Sequence, residues 1–202
     1  MSIIKAFPYK LTTLFFCALF FGNLTDCFSQ IIVTPNIGIN LAGDLEFRRG
    51  GFGGAIGYIG KKLGVEIEFM RHHHFFKDSK LGYGNTGDPM PDEDTDAMIF
   101  TANLLLPYYK SKNQKLDVYG STGVGLYHSW IDSGYVGIDG RQNDFGMHLG
   151  TGLWYNFSKR ISLRNDLRYS YVLNTHAQTA ESFYNHNYGF LRYTVGITVK
   201  LK

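Results

Sequence analysis

Ile-Ser-Leu-Arg-Asn-Asp-Leu-Arg-Tyr-Ser-Tyr-Val-Leu, residues 161–173, alternates in side-chain character with a period of two. Ile161, Leu163, Leu167, Tyr169, Tyr171 and Leu173 fall on one face. Ser162, Arg164, Asp166, Arg168 and Ser170 fall on the other, and only Asn165 interrupts the apolar side. Successive side chains of a strand point to opposite faces, so this pattern predicts a strand with one apolar and one polar surface. The end of the chain repeats it, with Leu191, Tyr193, Val195, Ile197, Val199 and Leu201 against Arg192, Thr194, Gly196, Thr198 and Lys200.

Working outward, four more segments alternate, more loosely. Leu63, Val65, Ile67 and Phe69 oppose Gly64, Glu66, Glu68 and Met70. Met98 to Leu106 oppose Ala97 to Leu105, with apolar residues on both faces. Leu116, Val118, Thr122, Val124 and Leu126 oppose Asp117, Tyr119, Ser121, Gly123 and Gly125. Phe145, Met147, Leu149, Leu153, Tyr155 and Phe157 oppose Gly146, His148, Gly150, Gly152 and Asn156. Two weaker strands precede these, around Val33–Leu41 and Gly51–Ile59, and Pro35 demotes the start of the first because it cannot donate to a ladder. The count is eight.

The connections decide what eight strands build. Short links at Gly60–Lys62, near Pro107–Lys115 and at Ser158–Arg160 alternate with long ones at Ala42–Gly50, His73–Thr95, Ser129–Gly140 and Thr175–His186. Alternating short and long connections fit an up-and-down bacterial barrel with periplasmic turns and external loops, both termini being periplasmic. A sheet in lipid must close on itself, since the hydrocarbon offers nothing to unpaired backbone groups. The fold expected is therefore all-β: an eight-stranded antiparallel up-and-down transmembrane β-barrel.

The first thirty residues set the compartment. Lys5 and Lys10 precede an apolar run from Leu11 to Gly22, and Cys27-Phe28-Ser29 follows. A basic start, a short apolar stretch and small residues before the cut mark a secretory signal peptide. Residues 1–29 are expected to be removed, leaving 30–202 as the barrel domain. Cys17 and Cys27 leave with it, so no thiol chemistry is expected of the mature chain. A rival reading takes Leu24-Thr25-Asp26-Cys27 as a lipobox and implies lipidation, but Asp26 stands where a small residue is wanted.

The formal charge is +3, and losing Lys5, Lys10 and Asp26 lowers it by one. So weak and dispersed a charge is no nucleic-acid footprint. With 24 glycines, 16% aromatics and no long apolar run past the leader, any crossing of a membrane is made by strands.

A lumen of eight strands is just wide enough to be filled by side chains. Glu66, Glu68, Asp117 and Asp166 against Arg164, Arg168, Arg192 and Lys200 are expected to pair there, because unpaired buried charge is expensive. Gly123, Gly125, Gly146, Gly150 and Gly152 on the same face would leave room for them. Two groups of aromatics fit interfacial girdles: Tyr58, Tyr108, Tyr109, Tyr155 and Phe157 by the short turns, and Phe69, Phe75, Phe76, Trp130, Tyr169 and Tyr171 by the long ones.

Val118-Tyr119-Gly120-Ser121-Thr122-Gly123-Val124-Gly125, Gly150-Thr151-Gly152-Leu153-Trp154-Tyr155-Asn156-Phe157 and Ser162-Leu163-Arg164-Asn165-Asp166-Leu167-Arg168-Tyr169 resemble the outer-membrane-protein β-barrel domain family, the small barrels of the OmpA and OmpX type. The resemblance runs over essentially the whole mature chain. It implies an outer-membrane location, lipid as surroundings and the barrel-insertion machinery as a partner. Family members commonly end on an aromatic residue read by that machinery, whereas this chain ends Val199-Lys200-Leu201-Lys202, and no peptidoglycan-binding domain is expected after it.

Three constellations invite chemistry. In His72-His73-His74 only His72 and His74 could share an ion on a strand, and Asp88, Asp92, Glu93, Asp94 and Asp96 could add oxygen ligands. With no zinc or EF-hand spacing, a polar external loop is preferred to a metal site. His128 beside Ser129, His148, and His176 near Thr179 and Ser182 are candidate bases for lipid A acyl transfer or deacylation, though none reproduces a signature. A conducting pore is disfavoured by the filled lumen. The expected function is a non-enzymatic, monomeric envelope protein, structural or recognising an extracellular ligand through its loops, with no catalytic residue, metal or cofactor. The alternatives are a lipid-modifying enzyme and a soluble secreted barrel that binds a small ligand.

Overall fold

In the computed structural model, eight antiparallel strands pair in chain order and the last pairs back on the first, closing a barrel. The residues described are 28–45, 50–60, 62–73, 75, 95–131, 141–173 and 187–201. The strands are β1 (Phe28–Gly43), β2 (Gly50–Gly60), β3 (Gly64–His72), β4 (Thr95–Lys110), β5 (Leu116–Ile131), β6 (Arg141–Asn156), β7 (Ile161–Leu173) and β8 (Tyr188–Leu201). Nearly all of the expected leader, with both cysteines, lies outside the described residues.

The period-two faces become inside and outside. Along β7, Ser162, Arg164, Asp166, Arg168 and Ser170 are buried in the lumen, while Ile161, Leu167, Tyr169, Tyr171 and Leu173 are exposed on the outer wall. The outer wall also presents Ile37, Ile67 and Leu149, each more than 60% exposed. So large an apolar surface is incompatible with solubility and suits lipid. Asn165, the one polar residue on that face of β7, is not left bare: Tyr193 on β8 donates its hydroxyl to Asn165 Oδ1 at 2.6 Å. That bond lowers the cost of an amide facing hydrocarbon.

Three short turns close one end. Gly60 N–H donates to Leu63 C=O at 2.8 Å, and Ser158 Oγ accepts the N–H groups of Arg160 and Ile161 at 3.1 and 3.0 Å. Between β4 and β5 the Asn113 carboxamide accepts Lys115 N–H at 3.1 Å, and Gln114 takes a left-handed φ of 56°.

Two prolines depart from expectation. Pro35 lies well inside β1, which starts at Phe28, instead of weakening its start, and the ladder to β8 skips Thr34 and Pro35, so the missing donor falls in a gap. Gly196, the partner of Asn36, allows the close approach, since a Cβ there would lie 2.6 Å from the Pro35 carbonyl oxygen. Pro107 lies within β4, which runs on to Lys110. The register slips between Pro107 and Tyr109, a bulge that absorbs the residue without a donor.

Candidate functional site

The lumen is built in three layers, and the middle one is charged. Glu66 and Glu68 project inward from β3, Arg164, Asp166 and Arg168 from β7, and Arg192 from β8. Arg164 binds Glu66 through both terminal nitrogens, Nη1 closely to Oε2 and Nη2 to Oε1 at 3.1 Å, while its Nε donates to Asp166 Oδ2 at 2.7 Å. Arg168 donates to Glu68 at 2.7 Å and to Asp166 at 3.2 Å, and Arg192 donates to Glu68 at 2.8 Å. Three guanidinium groups thus face three carboxylates, and the belt is electrically neutral. Neutral donors complete the acceptors: Asn36 and Thr101 to Glu68 at 3.1 and 3.3 Å, Asn103 to Glu66 at 3.0 Å, and Tyr119 to Asp166 at 2.5 Å. Buried charge persists only when paired and hydrogen-bonded in this way.

An apolar plug lies on each side of the belt. Towards the long connections, Leu45, Met70, Phe75, Ala97, Ile99, Tyr127, Val172, Tyr188 and Phe190 form one cluster, with Phe75 edge-on to Phe190 at 5.8 Å. Towards the short turns, Ile32, Leu105, Tyr119 and Trp154 form the other. Tyr119 and Trp154 stack at 3.9 Å, and the Arg164 guanidinium lies 5.4 and 5.7 Å from their ring centres. That contact seals the belt against the inner plug. Glycine makes the crowding feasible: a Cβ on Gly152 would fall 2.3 Å from Tyr119, and one on Gly150 would fall 2.7 Å from the Arg168 side chain.

Of the eight charged residues read onto the polar face, six come together and two do not. Asp117 lies at the short-turn end of β5, where its carboxylate accepts from Asn156 at 3.0 Å. Lys200 donates to the same Asn156 at 2.8 Å. Both line the mouth and neither reaches the belt. Conversely, Tyr119, Asn36, Thr101 and Asn103 belong to the belt without having been singled out. Only Tyr119 stood on a face already read as polar; the β4 segment that carries Thr101 and Asn103 reads as apolar on both faces, and alternation around Asn36 is too weak to assign one. Asp144, with Gln142 donating to it at 2.7 Å, is a further buried acid on the lumen side, because β6 begins at Arg141 rather than Phe145.

The constellations considered for chemistry separate. His72 points into the barrel beside Phe75. His73 points outward and bonds Asp96 at 2.9 Å, while His74, Asp88, Asp92, Glu93 and Asp94 lie outside the described residues. His128 faces outward, with its Nδ1 2.7 Å from Asn143 Oδ1, whereas Ser129 is buried on the lumen side, so the two share no face. His148 lies in the lumen; His176, Thr179 and Ser182 lie outside the described residues. Among the described residues no group of three or more His, Cys, Asp or Glu could hold a metal ion. Phe75, read as part of the outer girdle, is instead fully buried in the plug, and Phe76 lies outside the described residues. Tyr58, Tyr108, Tyr109, Tyr155 and Phe157 do stand exposed around the short-turn end, and Tyr169 and Tyr171 around the other.

A closed barrel that is apolar outside and packed with paired charge inside is an outer-membrane β-barrel protein, and the outer membrane is its location. The family profile described as "Outer membrane protein beta-barrel domain" matches residues 32–194, and the chain belongs to that family. Among solved structures it is similar to a major outer membrane protein from Thermus thermophilus (16% identity, 85% of this chain and 99% of that one, TM-score 0.55). It is also similar to Neisserial surface protein A (18%, 85% and 95%, TM-score 0.53) and to the N-terminal β-barrel domain of Pseudomonas aeruginosa OprF (16%, 85% and 98%, TM-score 0.51). At these identities the likeness is one of fold. No curated protein matches the chain.

Proposed function

We propose that this barrel is a non-enzymatic, non-conducting envelope protein that supports the outer membrane and presents its long connections for recognition outside the cell. The observation that carries the reading is the layered lumen, a neutral belt of six paired charges between two apolar plugs. An ion would have to displace aromatic packing at both ends and break charge pairs between them, and each removal is costly. The closed sheet leaves no edge to which a second chain could add a strand, which supports the reading of a monomer among lipids once the insertion machinery has delivered it.

Planar-bilayer recording on the purified, heat-modifiable protein is the test, with no steady single-channel current as the expected result. A stable open channel would overturn the non-conducting reading, and new lipid A modification in membranes carrying the protein would overturn the non-enzymatic one. For recognition, a deletion within residues 77–93 should abolish surface binding while the barrel still forms. The deletion must spare Phe75, which belongs to the plug.

A further inference from the structure

The outer wall is not uniform around its circumference. At the long-connection ends of β3 to β6, outward positions carry Arg71, His73, Asp96, His128, Trp130 and Arg141. The ladder sets them side by side: Asp96 pairs with Trp130 and Trp130 with Arg141, while one row below Met98 lies between Arg71 and His128. At the corresponding ends of β7, β8, β1 and β2 the outward side chains include Tyr171, Leu173, Leu191, Tyr193, Ile39 and Phe52, and the one charge there among the described residues is Asp44, an acid whose carboxylate accepts the Gly189 N–H at 3.0 Å.

Within the patch, Arg71 Nη2 donates to Asp96 Oδ2 at 2.9 Å and His73 Nδ1 lies 2.9 Å from Oδ1. Asp96 is thereby shielded, its side chain 14% exposed, while those of Arg71 and His73 are 37% and 51% exposed. The Arg71 guanidinium lies 5.7 Å from the centre of the Trp130 ring, and its Nε has no hydrogen-bond partner among the described residues. Arg141 is exposed on the far side of Trp130. Among the described residues two arginines face one aspartate, which leaves the patch positive. Directly below it on the same strands run Phe100, Leu126 and Phe145, all exposed. A cationic, aromatic-backed cap above a strip of apolar wall has the amphipathic outline of a single anionic lipid, headgroup above and acyl chains below.

We propose that the outer ends of β3 to β6 bind a phosphate-bearing lipid headgroup of the outer leaflet, with Arg71 and Arg141 donating to the phosphate and Trp130 packing between them. Arginine suits the task because its planar fork holds phosphate through paired donors. The proposal rests on the outer-membrane orientation above, in which the long connections are external.

The test uses the folded protein in phosphatidylcholine nanodiscs doped with diphosphorylated lipid A or with its phosphatase-treated form, followed by native mass spectrometry to count retained lipid. The wild type should retain the phosphorylated form at least about tenfold better, the scale of one charge-assisted hydrogen bond. Arg71→Gln and Arg141→Gln should each abolish most of that preference. Arg141→Gln breaks no ion pair seen among the described residues, so it serves even if Arg71→Gln misfolds. Lys112→Gln, at the opposite mouth, should leave the preference unchanged. Equal retention of the two lipids, or equal loss with Lys112→Gln, would overturn the site. Failure of the protein to enter nanodiscs at all, seen by heat modifiability, would instead count against the membrane reading.

Discussion

The belt and the outer plug fill the same lumen by opposite means. In the belt every group is specific. Glu68 on β3 is held by Arg168 of β7, Arg192 of β8, Asn36 of β1 and Thr101 of β4, so one carboxylate ties five strands. In the plug the filling is by volume, through Met70, Ile99, Val172 and edge-on rings that any side chain of similar size could approximate. The difference teaches where register is set. A one-residue slip of β3 would turn Glu66 and Glu68 into lipid and Val65 and Ile67 into the lumen, an error that a plug of apolar residues would scarcely register. The charged layer thus penalises wrong pairings as well as rewarding the right one, in line with the use of buried polar groups to fix register.

The comparison is broken most forcefully by Arg168→Met. The substitution keeps much of the volume but strips Glu68 and Asp166 of a shared partner, and losing one side of a buried pair costs about 3–5 kcal/mol. Equilibrium unfolding in urea with the barrel held in lipid vesicles should show a loss of that size. Ile99→Val makes the matching change in the plug. It removes one methylene from a fully buried residue, for which about 0.5–1.5 kcal/mol is expected in the same assay. If the two losses proved equal, the distinction between a specific belt and a tolerant plug would fail.

Much of this was legible in the sequence, and the limits have physical causes. Period two identifies the inward face of β3, β7 and β8, and with it all six belt charges, because on a barrel wall the two faces meet entirely different solvents. What alternation cannot give is height. It placed Asp117 inside with the others, yet the strands' pairing leaves Asp117 at the mouth, opposite Trp154 on β6 and Lys110 on β4 and away from β3. Alternation also fades where a strand leaves the hydrocarbon and both faces become polar. Thus Ser129–Ile131 read as connection and the sixth strand as starting at Phe145, although Ser129–Ile131 and Arg141–Asp144 are strand. Phe75 lies beyond the last residue of β3, where no period assigns a side, and only its contacts with His72 and Phe190 reveal that it folds inward.

The smallest expected effect sharpens the same comparison. Asp117→Asn removes a carboxylate from the polar face of β5 just as a belt substitution would, but its carboxylate is bound by the Asn156 amide and lies outside the network of Arg164, Arg168 and Arg192. An amide can still accept at that position, and the site is only half-buried at the mouth. The change in unfolding free energy should therefore stay within about 0.5 kcal/mol, as for substitutions away from a buried network. A double variant with Arg168→Met should show simple addition, since sites that share no partner combine independently. Coupling of about 1 kcal/mol or more between the two would mean that the mouth and the belt act as one charged system, and the boundary between them would have to be redrawn at Trp154.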